Sequence, residues 1–153
     1  MRKIILHQYQ QIIDKAVRQT AGLDVPPEGW LKTLRKALGM SGAQLGRLMG
    51  VSRAQIAQAE RNELSGAVTL RTLQNMAEAM GCRVVYAIVP TGNVEGLVVR
   101  RAKEKAKQLV DRVNTQMAFE NQTLNEERRE YELNRVEQEL LRNLPLDLWD
   151  DVK

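Results

Sequence analysis

Apolar residues recur three and four positions apart along most of this chain, and glycine, proline and hydroxyl residues separate the apolar stretches. This spacing is typical of amphipathic helices. The first helix is predicted over residues 2–20, with its apolar side formed by Ile5, Ile12, Ile13, Ala16 and Val17. Gly22 and the Pro26-Pro27 pair then interrupt the pattern, and we expect a joint there.

Two helix starts of the same kind lie eleven residues apart. Ser41-Gly-Ala-Gln44 and Ser52-Arg-Ala-Gln55 both fit the capping box, in which a serine caps a helix and a glutamine three residues later caps the serine in return. Gly50 between them supplies a tight turn. The pattern predicts two short stacked helices joined by that turn, which is a helix-turn-helix.

Further helices complete this region. One is predicted from Trp30 to its end at Gly39, and another begins at Thr69 and ends at Gly81. The helix that begins at position 52 is expected to end near Arg61. The predicted core is therefore a compact group of short helices.

One β-strand is predicted at residues 82–90, because CRVVYAIVP is rich in β-branched residues and lies between Gly81 and Pro90. A strand without a neighbour leaves its backbone amides and carbonyls unpaired. The favoured partner is the same strand of a second copy, paired antiparallel across a two-fold axis. The alternative partner is the segment around Ile4 to Leu6.

After Gly96 the chain is predicted to form two charged amphipathic helices, joined near Asn121 to Asn125. The apolar stripe of the first helix is Val94, Val98, Ala102, Ala106, Leu109, Val113 and Met117. That of the second is Leu133, Val136, Leu140 and Leu144. The last stretch, LPLDLWDDVK, places Trp149 among acidic residues, and we expect it to dock on another surface.

The predicted fold class is mainly α, with one dimerising strand. An N-terminal helix and linker occupy residues 1–28, a helix-turn-helix domain residues 29–81, the strand residues 82–90, and a charged helical extension residues 91–153. A hydrophobic fraction of 43% with only 4% aromatic residues fits this division, because such a core is built from aliphatic side chains in packed helices.

Charge is unevenly distributed along the chain. The net charge is +4, but residues 1–90 contain 12 Lys and Arg against 6 Asp and Glu, whereas residues 91–153 contain 11 against 13. The basic excess therefore lies in the part that contains the predicted helix-turn-helix. It is compatible with a phosphate-binding surface.

Catalytic and cofactor sites are not predicted. Cys82 is the only cysteine, so no intrachain disulfide can form and a zinc site would lack its usual ligands. His7 is the only histidine, and the glycines form no phosphate-binding loop. The apolar run after Met1 is too short for a signal peptide, and no stretch is long enough to span a bilayer. We expect a cytoplasmic protein that is not an enzyme and needs no cofactor or metal.

The second helix of the predicted pair has side chains suited to reading DNA bases. Arginine pairs with guanine, and glutamine or asparagine pairs with adenine, each through two hydrogen bonds. With the apolar positions turned inward, the polar residues left on the surface are Arg53, Gln55, Gln58 and Asn62. Ala54 is small enough to approach a thymine methyl group, and Gln55 is equally well explained by its capping box.

Phosphate contacts are expected beside this helix. Backbone amides at the helix starts of Ser41 and Ser52 point outward, as they do where anions bind helix N-termini. Gln44, Arg61 and Arg71 are the side-chain candidates. Arg71 is also explained as an exposed charge early in its helix.

Residues 30–80, WLKTLRKALGMSGAQLGRLMGVSRAQIAQAERNELSGAVTLRTLQNMAEAM, resemble the Xre, or lambda-repressor-like, helix-turn-helix family in their order of Leu, Gly, Ser, Gln, Ile and Glu60. The resemblance implies a lambda-repressor-like domain. It also implies base contacts from the start of the second helix and a DNA-backbone contact. The residues concerned are Arg53, Ala54, Gln55 and Gln58 for the bases, and Arg71 for the backbone.

Over nearly its full length the chain is also similar to a narrower family, mobile mystery protein A. The similarity includes PPEGW, GCRVVYAIVP, RRAKEKAKQLV and the terminal LW-D element. Members are usually encoded beside mobile mystery protein B, which contains a Fic domain, a fold that typically transfers AMP to proteins. The resemblance implies an antitoxin that represses its own operon and has a Fic-domain toxin as partner.

Fic-inhibiting antitoxins often contain a helix motif of Ser or Thr, three residues, Glu, and Gly or Asn. Thr91-Gly-Asn-Val-Glu95-Gly96 has the same letters. The resemblance implies that Glu95 pairs with an arginine of the toxin and blocks the γ-phosphate of ATP. The alternative is a turn after Pro90 that opens a helix.

Together these patterns predict a sequence-specific transcriptional regulator that binds a palindromic operator as a homodimer and serves as the antitoxin of a Fic-type pair. Two alternatives stay open. One is a stand-alone Xre-type repressor without a toxin. The other is a protein that sequesters a partner through residues 92–150, with DNA binding secondary.

Overall fold

The structure of the chain, a computed structural model, describes residues 1–119 and 125–153. The described residues form seven α-helices and no β-strand, which confirms the prediction of a mainly α fold. In chain order the helices are α1 (Arg2–Thr20), α2 (Trp30–Ala37), α3 (Gly42–Met49), α4 (Arg53–Ser65), α5 (Leu70–Ala79), α6 (Val94–Phe119) and α7 (Glu126–Asn143).

The helices belong to two compact units. The first, called here the four-helix unit, is Thr20–Ala87 and contains α2 to α5. The second, called the hairpin unit, combines Met1–Gln19 with Ile88–Lys153 and contains α1, α6 and α7.

The core of the four-helix unit contains at least one residue from each of its helices. Its buried members are Leu31, Leu45, Ile56, Met76 and Met80, of which Met80 is the residue that ends α5. Burying one such side chain stabilises a fold by roughly 1.5–3 kcal/mol, so each member of this cluster contributes to the stability of the unit.

Two carboxylates of α4 fix helix α2 against it. Glu60 is buried and accepts hydrogen bonds from Arg35 Nε at 2.6 Å and Nη2 at 3.1 Å, while Arg35 Nη1 donates to the Met40 carbonyl at 3.0 Å. The hydrogen bond to Glu60 raises the pKa of the Arg35 guanidinium. Glu63 accepts from the backbone N–H groups of Trp30 and Leu31 at 2.7 and 2.8 Å, and thereby caps α2.

Helix α4 is longer than the sequence indicated. It continues past the expected end near Arg61 to Ser65 and ends at Gly66, whose φ of 84° lies in the left-handed region. Residues 62–65 contain no glycine or proline, and Gly66 is the first position at which the chain adopts a left-handed cap without a Cβ clash.

The predicted strand at residues 82–90 is not formed. Among the residues that the structure describes there is no strand to pair with it, and the alternative partner, Ile4 to Leu6, lies within helix α1. The side chains of Val85, Tyr86 and Ile88 are exposed. A β-rich sequence without hydrogen-bonding neighbours has no ladder, so composition alone did not produce a strand.

The hairpin unit is built around α6 and α7, which run antiparallel. Ala102 and Ala106 of α6 are buried with Leu140 of α7, and Arg129 pairs with Asp111 at 2.7 Å. Both helices were predicted from their apolar stripes and are confirmed. The predicted joint near Asn121 to Asn125 lies outside the described residues apart from Asn125, which caps α7.

The stretch after α7 docks on α6, as expected from its sequence. Leu148 is buried in the hairpin core. Two buried cations of α6 hold the backbone beside it: Arg101 donates to the Leu148 and Asp150 carbonyls at 2.8 Å each, and Lys105 donates to the Asp147 carbonyl and, at 2.8 Å, to that of Asp150. We call Arg101, Lys105 and the segment 145–151 that they hold the C-terminal clamp.

Candidate nucleic-acid interface

Both predicted capping boxes are formed. Ser41 Oγ accepts from Gln44 N at 3.0 Å while Gln44 Oε1 accepts from Ser41 N at 2.7 Å. Ser52 Oγ accepts from Gln55 N at 3.1 Å while Gln55 Oε1 accepts from Ser52 N at 2.8 Å. The side-chain carbonyl oxygens of both glutamines are therefore used within the capping boxes. Their side-chain amide nitrogens remain as hydrogen-bond donors.

The turn between α3 and α4 brings the two helices close together. Gly50 ends α3 with a φ of 69°, in the left-handed region. A Cβ at Gly46 would lie 2.7 Å from the Val51 carbonyl oxygen, a separation that a side chain cannot adopt. Backbone contact at this point fixes the angle at which α4 leaves the turn.

Helix α4 presents a polar face to solvent. Arg53, Ala54, Gln55 and Gln58 are all exposed, while Ile56 on the opposite side is buried in the core. The predicted base-contact positions therefore lie on one accessible surface of the four-helix unit.

Three predicted residues of α4 are joined by hydrogen bonds. Gln58 Nε2 donates to Asn62 Oδ1 at 2.8 Å, and Arg61 Nη2 donates to Gln58 Oε1 at 2.8 Å. A glutamine amide has two N–H donors and two acceptor lone pairs, so one of each remains for an external partner. Gln58 is thus held by its neighbours and still able to make a two-point contact.

Arg71 lies in the first turn of α5, away from this cluster in sequence and exposed. Thr69 caps that helix by accepting from Thr72 N at 3.1 Å. No salt bridge engages Arg71 within the described part of the chain, which leaves its guanidinium accessible at a helix start.

Residues 31–86 match the family model described as Helix-turn-helix. These residues are a helix-turn-helix domain. The match confirms the helix-turn-helix that the sequence indicated and supports its resemblance to the Xre family, and it covers a little over a third of the chain. No curated protein and no solved structure matches the chain.

Two cations of the helix-turn-helix domain were not singled out from the sequence. Lys32 of α2 lines a small groove together with Ser41 and Arg53, and Arg47 of α3 is exposed and lines another with Gln44. Arg47 is recognisable from the sequence as a polar position in the first helix of the motif. Lys32 is not, because only the packing of α2 against α4 brings it to this surface.

The remaining predicted site lies outside the helix-turn-helix domain. Thr91 precedes α6, whereas Glu95 is exposed in its first turn. Asn93 Oδ1 accepts from Gly96 N at 2.7 Å, as a helix cap does. Thr91 and Glu95 therefore do not share a helix, and the segment opens α6.

None of the described helices combines the length and the apolarity that a membrane-spanning segment requires.

Proposed function

We propose that this chain is a sequence-specific DNA-binding transcriptional regulator whose helix α4 reads bases in the major groove. The observation that supports it best is the exposed face of Arg53 and Gln58 on the second helix of a helix-turn-helix domain. In this motif the second helix enters the groove while the first crosses the DNA backbone.

Each side chain has a defined role in the proposal. Arg53 donates two hydrogen bonds to a guanine, and Gln58 both donates to and accepts from an adenine, each pair being worth about 1–3 kcal/mol of discrimination. Ala54 contacts a thymine methyl group. Backbone amides at the starts of α3 and α4 bind phosphates, assisted by Arg47 and Arg71.

The operator in this proposal is palindromic and is bound by a homodimer. Two recognition helices then occupy half-sites about 34 Å apart, which is one turn of DNA. Occupation of a promoter by the dimer prevents transcription. The net positive charge of residues 1–90 favours DNA binding by this part of the chain, because phosphate contacts supply much of a protein's affinity for DNA.

To test the proposal, the full chain is used to select DNA duplexes from a randomised pool. Its affinity for the selected duplex is then measured by fluorescence anisotropy. We expect Arg53→Ala/Gln58→Ala to weaken binding to the selected duplex by on the order of 100-fold, since two base pairs of contacts are lost. The matched control is Arg100→Ala/Gln138→Ala, which removes the same two residue types from exposed positions on α6 and α7 and should leave affinity unchanged. Failure to enrich any sequence, or equal affinity of both double variants, would contradict the proposal.

We propose further that the regulated operon encodes a Fic-domain toxin for which this chain is the antitoxin. The support is the similarity to mobile mystery protein A and the letters of the segment Thr91–Gly96, in which Glu95 would meet the arginine of the toxin. Sequencing of the adjacent reading frame tests it first: it should encode a Fic-domain protein, which is then co-expressed with this chain. Growth should be protected by the full chain and lost on truncation after Pro90. Protection that survives truncation would contradict a role for the C-terminal helices.

A further inference from the structure

The hairpin unit has an open apolar groove between α6 and α7. Its volume is about 630 Å³, and its floor includes Leu109, Val110, Val113, Met117 and Val136. Val113 is 49% exposed although it belongs to the apolar stripe of α6. The groove is large enough for several apolar side chains, and no other described part of the unit fills it.

The segment that borders one end of the same groove carries large apolar side chains that are exposed. Pro145 and Asp147 line that end. In the turn that they begin, Leu146 is 86% exposed and Trp149 is 61% exposed, while Leu148 between them is buried. The C-terminal clamp holds this turn in one conformation, so binding through it requires little further ordering of the chain.

We propose that the occupant of the groove is a second copy of the chain: the turn 145–151 of each protomer packs into the groove of its partner across a two-fold axis. The inference rests on the homodimer of the proposed function and gives that dimer its contact surface. Both protomers use the same surface, so the assembly closes as a dimer.

The geometry of the groove fits this exchange. Lys105 and Pro145 mark one end, whereas Met117 and Arg128 mark the other. Met117 lies twelve positions after Lys105 in α6, a distance of about 18 Å along a helix that rises 1.5 Å per residue. A two-fold axis across the middle of the groove reverses its ends. The turn of one protomer then meets the Met117 end of the other.

The charges at the two ends are complementary. Asp150, beside Trp149, and Arg128, at the far end, form no salt bridge within the described residues, and both are exposed. The other charges that line the groove are already engaged: Glu132 and Glu139 with Arg135, and Asp147 with Lys105. The antiparallel arrangement brings Asp150 of each protomer to Arg128 of its partner, whereas a parallel arrangement would place like charges together.

Sedimentation equilibrium of the full chain measures the dimer directly. We expect Leu146→Ala/Trp149→Ala to raise the dimer dissociation constant at least 30-fold. Both side chains are exposed, and circular dichroism should show an unchanged helix content. The control is Tyr131→Ala, which removes an aromatic side chain of 66% exposure on α7 that does not line the groove and should leave dimerisation unchanged.

A charge exchange tests the two-fold pairing itself. Arg128→Glu and Asp150→Lys should each raise the dissociation constant about tenfold when measured alone. Mixing the two variants should give heterodimers of nearly unaltered affinity, because each contact then joins opposite charges. No dimer of another geometry predicts this recovery.

Several outcomes would overturn the groove dimer: a monomer at every accessible concentration, a dimer insensitive to the turn variant, or no recovery on mixing. If the turn variant lost the binding of a different protein while its dimer stayed intact, the groove would belong to another occupant. That result would equally overturn the groove dimer. Selection of duplexes by the same preparations separates this inference from the proposed function. A monomer that still selects a duplex fails the dimer but leaves the sequence-specific DNA binding of the proposed function, and a groove dimer that selects no duplex fails only the regulator.

Discussion

The capped helices of the helix-turn-helix domain and the C-terminal clamp of the hairpin unit satisfy the same kind of group, backbone polar atoms at the end of a structured segment. The caps use neutral side chains three residues away, as Ser52 and Gln55 do. The clamp uses buried cations more than forty residues away, as Arg101 does for the Asp150 carbonyl. The caps are specified by local sequence alone, whereas the clamp exists only once the chain has folded back on α6.

The energetics of the two solutions also differ. A capping serine is worth about 1 kcal/mol and remains hydrated. A buried cation loses its hydration, and it is tolerated only where carbonyls and carboxylates replace the lost water. Removal of a distant partner should therefore be more damaging than removal of a local one.

The largest effect is expected within the four-helix unit, where Glu60 is the distant partner of Arg35. Glu60→Ala leaves a mostly buried guanidinium without its carboxylate, and we expect the free energy of unfolding to fall by about 3–5 kcal/mol. Urea denaturation measures it. The control is Glu28→Ala, which removes the exposed pair with Lys36 and should cause no measurable loss. Equal losses of unfolding free energy in the two variants would contradict the expectation that the Glu60–Arg35 pair stabilises the unit more than the exposed pair does.

Next in size is the clamp. Arg101→Met keeps the length and the apolar stem of the side chain but removes the donors to Leu148 and Asp150, and should destabilise the docked turn by about 2–3 kcal/mol. Hydrogen exchange of residues 145–152 should accelerate accordingly. Arg100→Met, on the neighbouring exposed position, serves as the control. Unaltered exchange in Arg101→Met would show that Leu148 and Lys105 anchor the turn without Arg101.

The local cap comes third. Ser52→Ala removes the acceptor for Gln55 N, and we expect a loss of about 1 kcal/mol in the same denaturation experiment. Ser65→Ala removes only a bond to the Asn62 carbonyl near the end of α4 and should change stability by less than about 0.5 kcal/mol. If Ser52→Ala lowered stability as much as Arg101→Met does, the distinction between the local caps and the C-terminal clamp would be wrong.

The smallest effect concerns pH. Hydrogen bonding from Gln108, and then from Arg101, lowers the pKa of Asp151 below its ordinary value of 3.8. The charged carboxylate therefore stabilises the clamp above that ordinary value, and the contribution is lost as the pH falls through the lowered pKa. The protection factors of residues 145–152, which are corrected for the intrinsic pH dependence of exchange, should fall below about pH 4 in the parent chain, whereas in Asp151→Asn this part of the pH dependence should be absent.

The same distinction explains how much could be predicted from the sequence. The helix starts at Ser41, Ser52 and Thr69 could be recognised because each cap and its partner lie within three residues. The exposed face of Arg53 and Gln58 followed from the apolar positions opposite. These features need no knowledge of the rest of the chain.

Features that depend on distant partners were missed or wrong. Arg101 and Lys105 border the stripe of Ala102 and Ala106, and a charge in that position usually lies in solvent, so their burial by the segment near Leu148 left no local trace. Glu60 was recognised as part of a family pattern but not as the partner of Arg35. The prediction of the strand was wrong for the opposite reason. Its β-branched composition is visible in the local sequence, but a strand forms only when a neighbouring strand pairs with it.

The unpaired segment in which the chain passes from one unit to the other has a consequence for handling the protein. Val84 to Val89 is short, uncharged, rich in β-branched side chains and largely exposed, which is the composition that seeds intermolecular cross-β aggregates. Arg83 stands before it and Pro90 directly after it. A charge and a proline in these flanking positions act as gatekeepers against fibril growth, and Arg83→Val is the change that would open one of them.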